Sequence, residues 1–284
     1  MDVTESFEAS REHLRGVAYR MLGSLSEADD AVQEAWLRLQ RADTSEVANL
    51  AGWLTTVVAR VCLDMLRSRT SRREQPFDAS VPEPAAPGDL EREAMLADSV
   101  GLALLVVLDT LNPAERLAFV LHDLFGVEFD EIAAIIGRTP VATRQLASRA
   151  RRRVQGAPAD GADLARQRDV IEKFLAALRA GDVEALIAVI DPEVVVTIDG
   201  TTEVRGARTW ATGAIRAARG ARAARIVLVD GAVGVAVAPR GKLFRVLQFT
   251  LAAGRIARID TATEPTRLAA LELGILDLNA EQLE

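Results

Sequence analysis

Residues 128–153 constrain the fold more than any other stretch of the chain, because they predict two short helices joined by a tight turn. The first helix has one apolar face, formed at helical spacing by Ile132, Ile135 and Ile136. Gly137 follows, and helices commonly end at a residue in the left-handed conformation, which costs glycine little. Thr139 then offers a hydroxyl cap, and Pro140 occupies the first position of the next helix.

The second helix of this pair is polar and ends in a cluster of arginines. Its polar residues are Arg144, Gln145, Ser148 and Arg149, followed by Arg151–Arg153. This pattern is typical of a helix-turn-helix, in which the second helix enters the major groove of DNA. The alternative is an ordinary helical hairpin whose arginines are solvated and complement the helix dipole. The residues of this stretch leave both interpretations open.

The charge of the chain argues against tight DNA binding by the protein alone. The net charge is −7, with 24 acidic and 18 basic residues in 1–155 and 17 acidic and 16 basic residues in 156–284. Acids crowd residues 2–46, whereas arginines crowd 60–73 and 138–153. Because the summed field opposes the phosphates, we expect the protein to dock first on a partner with basic residues.

The sequence predicts a cytoplasmic protein without a metal site. The longest apolar run, Leu102–Leu108, is too short to cross a membrane, and the acidic N-terminus does not resemble a signal peptide. The single cysteine, Cys62, cannot form an internal disulfide. His122 has no second ligand at a suitable spacing, so we predict neither a metal nor a cofactor.

The N-terminal part predicts helices with two polar surfaces. In residues 5–42 the second of two helices carries acids beside an indole, namely Asp29, Asp30, Gln33, Glu34, Trp36 and Leu37. It is either a docking helix or a core tryptophan beside a solvated acidic face. Residues 53–66 predict a helix with one buried face. The arginines of this stretch lie mostly outside that face, where they either contact the phosphates of a nucleic acid or are solvated. Residues 76–88 contain four prolines and predict a linker.

The C-terminal part predicts an α+β domain after a second joint at 156–165. Helices are predicted near 166–190, at 206–219 and at the closing segment PTRLAALELGIL; strands are predicted at EVVVTID and in four later alternating segments. Trp210, Phe244 and Phe249 line a cavity or form a core. Residues 156–284 lack His, Tyr and Cys, and turn roles are predicted for Asp199, Asp230 and Asp260 at strand ends, so an enzyme is disfavoured.

Three strings carry a resemblance to a known family: AYRMLGSLSEADDAVQEAWLRL, AGWLTTVVARVCLDMLRS and LNPAERLAFVLHDLFGVEFDEIAAIIGRTPVATRQLASRARRRV. In this order, residues 7–155 resemble a bacterial sigma factor of the extracytoplasmic-function (ECF) group. The resemblance implies core RNA polymerase, met through its β′ clamp and β flap, and promoter DNA as partners. It assigns the clamp contact to Asp29, Asp30, Gln33, Glu34, Trp36 and Leu37.

The same resemblance implies two DNA contacts. The −10 element would be read by Arg60, Asp64, Arg67 and Arg69, and the loop at 43–51 would hold a base flipped from the melted strand. The −35 element would be read by Arg138, Thr139, Thr143, Arg144, Gln145, Ser148 and Arg149.

Residues 166–284 resemble the SnoaL-like cone that follows some of these sigma factors. Val81–Pro84 matches the tail of a linker motif, Asp199–Gly200 begins like an Asp-Gly-Gly-Gly-Lys loop, and Glu264–Leu268 resembles Asn-Pro-Asp-Lys-Leu with three changes. The regulatory contacts that this resemblance implies are Pro82, Glu83, Pro84, Asp199, Pro265, Arg267 and Leu268.

Together these patterns predict a multidomain protein: two all-α domains followed by an α+β SnoaL-like cone with a curved antiparallel sheet. The expected segments are 1–75, a linker at 76–94, 95–155, a linker at 156–165, and 166–284. The expected function is that of an alternative sigma factor regulated in cis by the cone. Whether the cone binds a small ligand is left open by the sequence. The alternatives are a one-component ligand-sensing regulator and an enzyme fused to a DNA-binding module.

Overall fold

The computed structural model describes residues 3–44, 47, 49–73, 99–156, 163–216, 221, 223–239 and 242–276. The predicted linker at 76–94, with Pro82, Glu83 and Pro84, lies outside them. The described residues form two compact units, one with 3–73 and 111–152 and the other with 99–110 and 153–276. Residues of the predicted 95–155 domain therefore occur in both units.

The described helices are, in chain order, α1 (Val3–Leu22), α2 (Leu25–Leu39), α3 (Leu50–Arg73), α4 (Ser99–Asp109), α5 (Pro113–Phe119), a π-helical turn (Val120–Leu124), α6 (Phe129–Ile136), α7 (Pro140–Gln155), α8 (Leu164–Ala180), α9 (Val183–Val189), α10 (Ala207–Arg216) and α11 (Pro265–Ala270). The described strands are β1 (Ile190–Ile198), β2 (Thr202–Arg205), β3 (Ala224–Val229), β4 (Ala232–Val237), β5 (Arg245–Ala252), β6 (Arg255–Ala262) and β7 (Leu273–Gly274).

The first unit is helical, and side chains from two other helices bind the C-terminal end of α1. The last carbonyls of a helix have no partner within the helix, and they carry the negative end of its dipole. Arg116 of α5 donates to the Arg20 carbonyl from Nε at 3.2 Å and from Nη2 at 3.1 Å. Arg69 of α3 donates to the Leu22 carbonyl at 3.2 Å. Two arginines distant in sequence thus cap α1 and join it to α3 and α5.

The same unit buries the single cysteine, Cys62, on α3. Burial raises the pKa of this thiol to about 12, although the nearby Arg116 and Arg69 oppose the shift. Because the thiolate is the reactive form, we expect Cys62 of the folded chain to resist an aromatic disulfide reagent at mildly alkaline pH. The same reagent should label it fully in concentrated guanidinium chloride. Rapid labelling of the folded protein would show that this part of α3 opens readily.

The second unit is built on a seven-stranded sheet with the order β2-β1-β6-β5-β4-β3-β7. One face packs on α8–α10 around Phe174, which is fully buried. The Phe174 ring centroid lies 5.7 Å from that of Trp210 and 5.3 Å from that of Phe249. Trp210 and Phe249 therefore belong to a packed aromatic cluster. Of the two roles predicted for them, lining a cavity or forming a core, the packing favours the core.

The opposite face of the sheet is also apolar and buried. Along the strands, residues of this face alternate with those that face α8–α10. They include Val227, Val229, Ala236 and Val246, each at most 2% exposed. Helix α4 packs against β3, and Asp109 at its C-terminal end accepts a hydrogen bond from the Leu243 backbone N–H at 3.2 Å. Helix α4, which precedes the helix-turn-helix in the chain, thus packs with the C-terminal sheet.

The last turn of α7 belongs to this second unit as well. The Ile275 N–H donates to the Val154 carbonyl at 2.9 Å. Beside this bond two glycines meet, and an ideal Cβ on Gly274 would lie 2.6 Å from the Gly156 Cα. Gly156 itself has a left-handed φ of 65°. Only a residue without a side chain fits at Gly274 while the two backbones keep this separation.

Three details differ from the sequence-based expectations. The predicted closing helix ends at Ala270, and Leu273–Gly274 instead pairs with β3 at the edge of the sheet. Strands β1 and β6 run parallel within the sheet that was expected to be antiparallel. Asp260 lies inside β6, bonded to Thr197 and Arg258, whereas Asp199 and Asp230 adopt left-handed turn conformations with φ of 51° and 50°.

Candidate nucleic-acid interface

The turn between α6 and α7 has the local chemistry that its sequence predicted. Gly137 ends α6 with a left-handed φ of 73°, and the N–H groups of Gly137 and Arg138 both donate to the Ala133 carbonyl. The Thr139 hydroxyl accepts the Ala142 N–H at 3.2 Å, and Pro140 begins α7. These bonds satisfy backbone groups that the two helix ends would otherwise leave unpaired. The helix-turn-helix is confirmed.

Helix α7 has one buried and one exposed side. The buried residues are Thr143, Ala147, Ala150 and Val154, and the exposed ones are Val141, Arg144, Gln145, Ser148, Arg149, Arg152, Arg153 and Gln155. Thr143 is 0% exposed and donates its hydroxyl proton to the Thr139 carbonyl, so the structure gives this predicted DNA contact a packing role. Arg138 and Thr139 are exposed in the turn. Val141 was not among the predicted residues, although it is three positions before Arg144.

Several basic side chains of the helix-turn-helix have intramolecular partners. The Arg144 guanidinium carbon lies 5.5 Å from the centroid of the Phe129 ring, which is within cation–π range. Arg151 donates from Nε to Asp123 at 2.8 Å. The Arg149 Nε is 3.9 Å from a Glu115 carboxylate oxygen. These contacts orient part of the basic surface, and Arg144 and Arg149 are nevertheless exposed to solvent.

The exposed face of α2 combines acids with an apolar side chain. Asp30, Gln33 and Leu37 are exposed at i, i+3 and i+7, which places them on one helical face. Glu34 beside them pairs with Arg38 at 2.9 Å, and Asp29 pairs with Arg15 at 2.7 Å. Trp36 is half-buried, with its ring centroid 4.8 Å from that of Phe7 on α1. Trp36 therefore helps to hold α2, while Leu37 is the apolar residue that solvent reaches.

Helix α3 exposes a second charged stripe. Arg60, Asp64 and Arg67 follow one another at i, i+4 and i+7, and all three are exposed. Arg69 lies on another side of the helix, forms an ion pair with Glu27, and has a side chain only 15% exposed. The structure thus brings three of the four predicted −10 residues together and places the fourth among the contacts that join α3 to α2.

The predicted regulatory residues of the C-terminal unit lie together. The Asp199 carboxylate accepts the Thr263 N–H at 2.8 Å, the Thr263 hydroxyl, and the Glu264 N–H at 3.2 Å. An ideal Cβ on Gly200 would lie 2.9 Å from Arg267 Nη1. Pro265, Arg267 and Leu268 belong to α11, which begins just after Glu264. The two segments matched separately in sequence therefore form one surface cluster.

Hydrogen bonding fixes the ionisation of this cluster. The Thr263 hydroxyl first, and then the Thr263 N–H, hold the pKa of Asp199 below its ordinary value. The bonds favour the folded state above the ordinary pKa, and this contribution is lost as the pH falls through the lowered pKa. In the same way, the Arg258 side chain lowers the pKa of Asp260. Both aspartates therefore carry their charge at neutral pH.

The described residues contain neither a candidate metal cluster nor a candidate membrane span. No group of three or more His, Cys, Asp or Glu side chains there is arranged to hold a metal ion. None of the helices within the described ranges has the length and apolar character needed to span a membrane.

Two protein families match the helical part of the chain. Sigma-70 region 2 matches residues 7–72, and sigma-70 region 4 matches residues 101–154. The first match covers α1–α3 with the exposed faces of α2 and α3. The second begins within α4 and ends at the last turn of α7.

Relatives extend the similarity into the C-terminal unit. ECF RNA polymerase sigma factor SigJ of Mycobacterium tuberculosis is 42% identical over 226 residues, which are 78% of this chain and 70% of the relative. Probable ECF RNA polymerase sigma factor SigI of the same species is 35% identical over 282 residues, covering 96% and 97% of the two chains. The crystal structure of M. tuberculosis SigJ aligns with a TM-score of 0.48 and 33% identity over 93% of this chain and 98% of that chain.

Proposed function

Because the chain belongs to the extracytoplasmic-function sigma factors, we propose that its exposed helical faces divide the work of transcription initiation among polymerase, the −10 element and the −35 element. The protein is an alternative sigma factor that binds core RNA polymerase and promoter DNA and directs transcription initiation. We therefore expect the protein to act in the cytoplasm, where RNA polymerase binds promoter DNA. The assignments of individual residues below are our proposal.

Helix α2 docks on the clamp of the β′ subunit. The observation that carries this assignment is the exposed face of Asp30, Gln33 and Leu37, where Leu37 is 37% exposed beside acids. An apolar side chain surrounded by polar ones matches the general anatomy of a protein interface, which has an apolar centre and a polar rim. Asp29, Glu34 and Trp36 support this face, because each contacts α1 or a neighbouring turn of α2.

Helix α3 contacts the −10 element and α7 the −35 element. Arg60 and Arg67 supply positive charge for the strand backbone, and Asp64 between them can accept from a base amino group. Arg69 positions α3 through Glu27 rather than meeting DNA. On α7, Arg144 and Arg149 suit guanine edges or phosphates, and Gln145 suits adenine. Residues 111–152 would also approach the β flap.

The C-terminal unit regulates the chain in cis through packing. Its sheet holds both segments that flank residues 111–152: α4 packs on β3, and the last turn of α7 bonds to Ile275. The aromatic cluster around Phe174 fills the inner face of the sheet, which supports regulation by contacts in preference to a small ligand. The cluster of Asp199 with Arg267 is the surface proposed for further regulatory contacts.

The docking assignment is tested with the double variant Asp30→Lys, Leu37→Ala. We expect its affinity for core RNA polymerase to fall about 30-fold, since the loss of two contributing interface side chains at roughly 1 kcal/mol each corresponds to that factor. The measurement is a titration of core enzyme with fluorescently labelled protein. Both side chains are exposed, so circular dichroism and the unfolding midpoint should not change.

The matched control is Glu12→Lys, which makes the same charge change at an exposed position of α1. It should bind core enzyme within about two-fold of the unmodified chain, because a single rim charge contributes little. Equal affinities of the double variant and this control would exclude α2 as the docking element. Promoter binding by the chain without polymerase would instead favour a one-component regulator.

A further inference from the structure

Val141 is the most exposed large apolar residue among those the structure describes. Its side chain is 61% exposed, whereas the next three, Val3, Ile198 and Leu37, are 37–39% exposed. It is the second residue of α7, directly after Pro140. A single exposed apolar residue is common on protein surfaces, so its position decides whether it has a role.

Val141 shares one helical face with the residues proposed to read DNA. Positions 141, 144, 145 and 148 are spaced at i, i+3, i+4 and i+7, and all four are exposed. Arg144 is drawn toward the Phe129 ring, 5.5 Å from its guanidinium carbon. The face that carries the polar contacts therefore also presents an uncovered isopropyl group near the start of the helix.

Folding does not account for valine at this position. A β-branched residue is a weaker helix former than alanine, and an exposed one buries little apolar surface. The adjacent exposed side chains are polar or basic, including Arg138 and Arg144, so the apolar area is too small for a protein interface. Positive charge around one apolar group suits the major groove of DNA.

We propose that Val141 contacts the 5-methyl group of a thymine in the −35 element and so contributes to promoter choice. This inference rests on the proposed function, in which α7 enters the major groove. Residues at the N-terminal end of a recognition helix contact base edges. Among the four unmodified bases only thymine presents a methyl group in that groove, and apolar side chains are its usual partners.

The test uses holoenzyme assembled from the full chain and core polymerase. Promoters with a randomised −35 element are first selected by run-off transcription. Each thymine of the selected element is then replaced, on either strand, by uracil, which lacks only the 5-methyl group. At one position we expect promoter affinity to fall about three- to six-fold, as for one apolar group returned to water.

A double-variant cycle assigns this effect to Val141. Val141→Ala holoenzyme should bind the thymine promoter about three- to six-fold more weakly and show no further loss with uracil. Val141→Ile, which keeps the branched side chain, should retain the discrimination. Arg144→Ala should weaken binding to both promoters yet preserve the difference between them.

The outcomes separate this inference from the proposed function. If scrambling the −35 element leaves transcription unchanged, α7 is not its reader and both ideas fail. If scrambling lowers transcription but thymine and uracil promoters behave alike, the proposed function stands and the role of Val141 is overturned. Equal discrimination by Val141→Ala and the unmodified chain, or a selected element without any A·T pair, would overturn it too.

Discussion

Arg116→Ala should lower the free energy of unfolding of the helical unit by about 3–5 kcal/mol, because it both opens a cavity and removes a helix cap. The Arg116 side chain is 2% exposed. Its two hydrogen bonds end on the Arg20 carbonyl, near the C-terminal end of α1, where carbonyls have no partner within the helix. An acceptor left unpaired in a buried place costs roughly 1–3 kcal/mol by itself.

Cys62 provides a local reporter for this measurement, since it is buried in the same unit as Arg116. The rate of thiol labelling in increasing urea gives the opening free energy of that unit. The control is Arg11→Ala, whose side chain is 60% exposed in an i,i+3 pair with Glu8. It should change stability by less than about 0.5 kcal/mol. A similarly small effect of Arg116→Ala would mean that α1 ends without needing this cap.

Gly274→Ala should destabilise the C-terminal unit by about 3 kcal/mol, since the added Cβ meets only backbone. That Cβ would lie 2.6 Å from the Gly156 Cα and 2.9 Å from the Gly156 N, and neither atom can rotate away. The end of α7 must then move from the sheet, which breaks the bond from the Ile275 N–H to the Val154 carbonyl. Hydrogen exchange at Ile275 should accelerate accordingly.

Gly213→Ala is the matched control, because a Cβ at Gly213 in α10 would meet nothing within 4 Å. This change should stabilise α10 by roughly 0.5–1 kcal/mol, the usual gain of alanine over glycine in a helix. If Gly274→Ala left the exchange of Ile275 as slow as in the control, the close approach of the two glycines would be dispensable.

Local chemistry explains why the helix-turn-helix was predictable. Gly137, Thr139 and Pro140 each satisfy a requirement of a helix end that involves only neighbouring residues, and the structure places all three as expected. The strands of the C-terminal sheet were predictable for a similar reason, since period-two alternation is recorded in the chain itself. The families matched to residues 7–72 and 101–154 then identified these helical segments as sigma-70 regions 2 and 4.

The exposure of single side chains was less predictable. Thr143 and Arg69 are polar residues that lie on the packed sides of their helices, with partners at Thr139 and Glu27. Val141 is an apolar residue on a polar face. Residue type alone therefore predicted an exposed contact for Thr143 and Arg69 and gave no reason to single out Val141. The position of each residue around its helix axis does indicate its exposure. A helical projection of α3 or α7 shows this when positions are compared with the exposed Arg67 or Arg144.

Tertiary pairing accounts for the remaining differences. Leu273–Gly274 has helical neighbours in sequence, but the free edge of β3 offers backbone partners that a longer α11 would leave unused. Helix α4 is apolar on most sides, so its sequence does not state which surface it will cover. Its packing on β3 became apparent only with the strands in place.

The position of α4 bears on how this protein should be dissected. A chain cut after Gln155 keeps α4 with its run from Leu102 to Leu108 but discards the strand that covers it. Apolar surface released in this way favours self-association. Weak transcription by such a fragment would then have two causes that the assay does not separate. One is aggregation of the fragment, and the other is the loss of control over promoter choice. Point variants that keep α4 seated on β3 separate these two effects.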